Sequence, residues 1–216
     1  MIIDGLEAKL FIVEENFKCD DSFQYDSIKC SSWSQDGVFL ALIGKDKHLT
    51  IIDTNNKYCE HWRTVFDLCC DAEATALSWG PSTSDNLHYL AYGCKDNKVS
   101  VIEIRSKEEC WEVVLDIPCL GIILDMDWRK NGILAIGTSN GSAHVVDLSY
   151  LLSGAAVNQM DYNWQRQGIT CSVLVQRKEG NNIFHSVHWL SSDVNENHVL
   201  MLGGSDGVIE SLEFSL

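Results

Sequence analysis

The sequence predicts an all-β fold assembled from a repeated four-stranded antiparallel module, and three observations carry that prediction. First, a tryptophan recurs at Trp33, Trp79, Trp128 and Trp189, with spacings of 46, 49 and 61 residues, each time ending a short alternating stretch. Second, a polar turn residue follows each tryptophan (Asp46, Asp96, Asn140, Asp206), and an acid follows that residue seven positions later in every copy (Asp53, Glu103, Asp147, Glu213). Third, the runs between these marks are rich in Val, Ile, Leu and Tyr, while the two prolines, Pro81 and Pro118, lie outside them. No strand therefore loses a ladder donor to proline.

Taken in chain order, residues 7–14 (EAKLFIVE) read as a strand that aligns with the third strand of a repeat and so belongs to a further module. The first full module spans 24–66, with the polar turn of WSQDG, the run FLALIG, a turn at Asp46, the run HLTIID and a fourth strand in HWRTVF. The second spans 72–115 and closes on CWEVVL, the third spans 120–176 and closes on TCSVLVQ, and the fourth spans 183–216. Between tryptophan and turn residue the count varies as 13, 17, 12 and 17, and the longer copies hold their extra residues in PSTSDN and SSDVNEN. Insertions confined to polar turns leave strand register untouched. Residues 149–168 (SYLLSGAAVNQMDYNWQRQG) interrupt the pattern and predict a short helix in LLSGAAVNQM followed by a surface loop. In that loop Trp164, with Tyr162 beside it, is a candidate partner contact, because aromatic anchors dominate many interfaces.

Four-stranded units repeated at this period predict a β-propeller, whose radial packing buries both faces of each sheet. Over residues 24–216 the pattern resembles the WD-repeat family, whose third strand ends in Trp-Asp after a turn bearing Asp. Here that dipeptide is replaced by Ile52-Asp53, Ile102-Glu103, Val146-Asp147 and Leu212-Glu213, and the family's Gly-His pair is absent. The four tryptophans themselves read as core packing, and the resemblance implies a ring that usually has seven blades. About four blades plus one strand predict an incomplete or fragmentary ring, with an open edge that a partner's strand can cover. The second and fourth repeats are also similar to the propeller subunits of RNA polymerase III transcription factor IIIC and to degenerate nucleoporin or coat-type propellers. That similarity implies a subunit of a multiprotein complex in the nucleus or cytoplasm.

The chemistry in the sequence is sparse. With 16 Lys and Arg against 31 Asp and Glu, the formal net charge is −15, which disfavours direct nucleic-acid binding and favours protein partners with basic surfaces. Asp4, Glu7 and Lys9 interrupt the apolar N-terminus, so no signal peptide is expected. The longest apolar stretches, such as Leu120 to Leu124, are strand-sized, so no membrane insertion is expected either. The nine cysteines are scattered without a C-x-x-C pair and read as small buried hydrophobes in a reducing compartment. His185 and His188 are the nearest ligand-like pair, but strand alternation sends them to opposite faces, so no metal is expected. Gly137 to Gly141 matches G-x-S-x-G around Ser139, yet SAHVVD continues as a strand where a nucleophile elbow needs a helix. Asp125 and Asp127 share one face of a predicted strand and read as a solvated carboxylate pair. Phosphate loops, dinucleotide fingerprints and zincin helices are absent, and no cofactor is expected. The expectation is a non-catalytic protein-protein interaction scaffold; the alternative is a propeller-based hydrolase with its site at the central channel.

Overall fold

A computed structural model describes residues 2–4, 7–13, 17–24, 28–55, 62–82, 86–152, 171–176, 183–190 and 198–214. The fold is all-β, with five antiparallel sheets of three, four, four, four and three strands taken in chain order. Every sheet is a meander in which each strand pairs with its sequence neighbours, as expected of strands joined by short hairpins. The chain divides into two compact units, Met1–Ala74 and Thr75–Leu216.

The first unit holds the sheet of β1 (Ile2–Asp4), β2 (Glu7–Val13) and β3 (Phe17–Gln24), so the predicted N-terminal strand lies at the centre of a three-stranded sheet. It also holds β4 (Ile28–Trp33), β5 (Phe39–Gly44), β6 (His48–Asp53) and β7 (Arg63–Cys69). In that sheet Ile28, Leu40, Leu42 and Ile52 form a small core with Trp33 and Trp62 against it. Trp33 is only half-buried and meets Trp62 edge to face at 5.8 Å, whereas Trp79, Trp128 and Trp189 are buried as core tryptophans.

The second unit carries three sheets: β8 (Ala74–Trp79), β9 (Leu87–Cys94), β10 (Lys98–Arg105) and β11 (Cys110–Pro118); β12 (Ile123–Trp128), β13 (Ile133–Thr138), β14 (Ser142–Asp147) and β15 (Cys171–Gln176); β16 (Phe184–Leu190), β17 (His198–Gly204) and β18 (Ile209–Phe214). They stack face to face in chain order. Ala76, Tyr89, Val99, Val101, Leu115 and Ile117 of the β8–β11 sheet share one core with Met126, Trp128, Leu134, Ile136 and Val146 of the next. Ile133, Ala135, Ala143 and Val145, on the opposite face of that second sheet, share another core with Phe184, Val187, Trp189, Leu200 and Leu202 of the third. The β12–β15 sheet is thus buried on both faces, which is why every residue of β13 (ILAIGT) is buried although successive side chains point opposite ways.

Two glycines let the sheets approach. A Cβ at Gly137 on β13 would stand 2.8 Å from Val187 of the next sheet, and one at Gly93 on β9 would overlap Ile123. Both glycines lie three residues before the turn residue of their repeat; the fourth repeat has Gly203 at that position and the first has Ile43.

Some expectations need correction. Cys70 and Cys94 are buried, but Cys69 and Cys110 are exposed because they sit at the ends of the outermost strands β7 and β11. A helix does follow β14, but its described extent is one turn, α1 (Ser149–Leu152), with Leu151 buried in the first stacked core. Trp164 and Tyr162 lie outside the described residues.

Candidate functional site

The repeated polar residues are engaged in building the turns. In each of the four repeats the residue after the marked turn position has positive φ: Lys47 at 69°, Asn97 at 65°, Gly141 at 75° and Gly207 at 76°. A left-handed residue thus closes the turn that connects the strands, and in the third and fourth repeats its N–H donates to the carbonyl three residues back, Gly141 to Thr138 and Gly207 to Gly204, each at 3.1 Å. The side-chain oxygen two residues ahead then accepts the next backbone N–H, His48 to Asp46 at 3.1 Å, Ser142 to Asn140 at 3.1 Å and Val208 to Asp206 at 3.0 Å. Asn140 adds more: Thr138 donates to its Oδ1 at 2.6 Å, and its Nδ2 donates to the Leu120 carbonyl at 2.7 Å.

The closing acids serve the following turn, and their length decides how. Asp53 and Asp147 each accept the backbone N–H two residues on, from Asn55 and Ser149, both at 2.9 Å. Glu103, one methylene longer, instead takes the Arg105 guanidinium at 2.6 Å and lies 3.2 Å from the Tyr89 hydroxyl, whose proton also reaches the Leu151 carbonyl at 3.0 Å. Burial, with Glu103 beside it, raises the Tyr89 phenol above its ordinary value. Asp53 faces Arg63 of β7 at 3.6 Å, so a guanidinium meets the acid in both of the first two repeats.

Asp125 and Asp127 overturn the solvated reading. Asp125 accepts the Val187 backbone N–H at 2.9 Å and that of Met126 at 2.9 Å, while Asp127 accepts the Trp189 N–H at 2.6 Å. The Trp189 indole donates to the Asp127 carbonyl at 3.1 Å, and His188 Nδ1 lies 2.9 Å from the Asp127 carboxylate. These carboxylates cap outward-facing amides of the edge strand β16 and tie it to β12. Desolvation by burial, more than Asp127 alongside, raises the Asp125 carboxyl. A like seam joins β8 to β12, where Thr75 Oγ1 lies 2.5 Å from the Ile123 carbonyl. Sequence reading missed this because the partners lie 62 residues apart.

Ser139 sits in the β13–β14 turn, with Oγ accepting the Ile122 N–H at 3.1 Å; Ser205 does the same for Ile183 at 3.1 Å in the following repeat. The described residues contain no group of three or more His, Cys, Asp or Glu placed to hold a metal ion. They also contain no helix long and apolar enough to cross a membrane. His144 is buried on β14 with both ring nitrogens unpartnered, and burial lowers its pKa. The exposed large apolar side chains among the described residues are Leu120, Leu190, Val208 and Ile209, three of them in or beside the β16–β18 sheet.

No protein-family model matches the chain, and no curated protein matches it in sequence.

Proposed function

We propose that this chain is a non-catalytic protein-protein interaction scaffold, a WD-repeat-like β-propeller subunit of a multiprotein complex in the nucleus or cytoplasm. The observation that carries the reading is the stack of sheets in the second unit, in which the β12–β15 sheet is buried on both faces and its turn side chains are spent on internal hydrogen bonds. Such a body offers turns and sheet borders as working surface, and binding rather than chemistry is what rigid borders do well. The acidic balance directs that surface toward basic regions of other protein subunits. Against the hydrolase alternative stands the double use of one turn position: Ser139 and Ser205 both hold the preceding loop by accepting a backbone N–H.

The test is size-exclusion chromatography with light scattering, on the chain alone and after copurification, together with ester hydrolysis by wild type and Ser139→Ala. A stoichiometric hetero-complex and hydrolysis equal in both proteins at background are expected. Ester turnover above background that Ser139→Ala abolishes overturns the scaffold reading, as does a chain that remains an inert monomer in every copurification.

A further inference from the structure

The dipeptide Asn-Gly occurs twice in the chain, as Asn131-Gly132 in the β12–β13 turn and as Asn140-Gly141 in the β13–β14 turn. Their main chains are alike. Both glycines are buried with positive φ, 91° and 75°, and each donates its N–H to the carbonyl three residues back, Gly132 to Arg129 at 3.0 Å and Gly141 to Thr138 at 3.1 Å. The side chains differ. Asn140 is held at both ends: its Oδ1 accepts the Ser142 N–H and the Thr138 hydroxyl, and its Nδ2 donates to the Leu120 carbonyl. Asn131 is exposed, and among the described residues nothing hydrogen-bonds to its side chain.

The first repeat shows how the same place is secured elsewhere. There the corresponding residue, Asp36, accepts the Ser34 hydroxyl at 2.6 Å and the Val38 N–H at 3.1 Å, whereas Arg129 stands in the third repeat where Ser34 supplies that hydroxyl. Gly132 is fixed as glycine by φ and by packing, since a Cβ on it would stand 2.6 Å from the Ser149 Cα. Its carbonyl accepts the Leu148 N–H at 2.8 Å, which seats the entry to α1 on the turn. The unhindered glycine nitrogen and the untethered amide therefore stay together at Asn131, next to a bond that α1 depends on.

We propose that Asn131 is a site of spontaneous covalent modification in the folded chain, converting through a cyclic imide to isoaspartate, and that the conversion unseats α1 from the β12–β13 turn. The Gly132 nitrogen attacks the Asn131 Cγ; the new C–N bond replaces the Cγ–Nδ2 bond, and Nδ2 leaves as ammonia with the proton lost by Gly132. Water then opens the imide at either carbonyl. Cleavage at Cγ gives aspartate, and cleavage at the main-chain carbonyl gives isoaspartate, whose chain runs through Cγ and is longer by one methylene. Asparagine and water thus become an acid and ammonia, with no oxidant or cofactor. The longer main chain carries the Gly132 carbonyl away from Leu148. This goes beyond the scaffold reading and asks nothing of a partner.

The test holds the purified full chain in warm neutral buffer over weeks, folded and in guanidinium, and maps both sites by proteolysis and mass spectrometry that separates isoaspartate from aspartate. In the folded chain Asn131 is expected to convert about tenfold or more faster than Asn140, which must first give up its hydrogen bonds, and the two rates should converge in denaturant. Hydrogen exchange at the Leu148 amide should quicken in the aged folded chain. It should stay slow in Asn131→Gln aged alongside, and in fresh Asn131→Asp, which adds the charge without the methylene. Equal conversion of Asn131 and Asn140 in the folded chain overturns the proposal, as does conversion of Asn131 in denaturant alone. Unchanged Leu148 exchange in converted protein also overturns it, and so does exchange that quickens equally in aged Asn131→Gln.

Discussion

Gly93, Gly137 and Gly203 occupy one position of the repeat but meet different surroundings, and substitution separates them. Gly137→Ala forces a Cβ to within 2.8 Å of Val187 and is expected to cost about 1–3 kcal/mol in urea unfolding, whereas Gly203→Ala, with Ser186 3.4 Å away, stays within about 0.5 kcal/mol. Equal losses at both sites would contradict the stacking order of the sheets. His144 sets an acid limit. Its folded pKa is lowered by burial, so below about pH 6.5 the unfolded chain binds a proton that the folded chain refuses, and stability falls as pH drops from there toward the folded value. A thermal-melt series from pH 7.5 to 5 should show this decline, and His144→Leu should flatten it. His48, raised chiefly by its hydrogen bond to Asp67, pulls the opposite way: its contribution is present below about pH 6.5 and fades as pH rises through the higher folded value. It lies on the surface, so the buried histidine dominates.

At the scale of strands and turns, the constant seven-residue interval was legible because the marked turn residue, the left-handed residue after it and the strand that follows recur together in every repeat. The choice between Asp and Glu at the closing position was not legible as function: Asp53 and Asp147 reach a backbone N–H two residues on, and Glu103 overshoots it to meet Arg105. Asp125 and Asp127 were misread for a related reason. Alternation on β12 tells which face a carboxylate occupies, but only the neighbouring edge strand tells that it has amides to cap. Asp127→Ala strips the Trp189 N–H of its acceptor and should cost about 2 kcal/mol, read from denaturant midpoints. Asn140→Ala, which loses bonds to Thr138, Leu120 and Ser142, should cost about 1–2 kcal/mol. A neutral result at Asn140 would mean that the turn is held by backbone geometry alone.

For the molecule as a whole, the all-β class was readable from the recurrence of strand-sized apolar runs bounded by polar turns, and the strand buried on both faces, β13, reads as a continuous run where half-buried strands alternate. With a net charge of −15, association with a basic partner should slow about tenfold between roughly 0.05 and 0.5 M NaCl, measured by stopped-flow mixing. A rate indifferent to salt would point to an apolar contact instead. The seam between β12 and β16 has a mechanical consequence. It joins two sheets by a handful of side-chain bonds to Val187 and Trp189, whereas within each sheet the strands share full ladders. Under tension applied through the C-terminus, the chain should therefore lengthen in discrete steps, the last sheet peeling off at its carboxylate fastenings before any ladder is sheared.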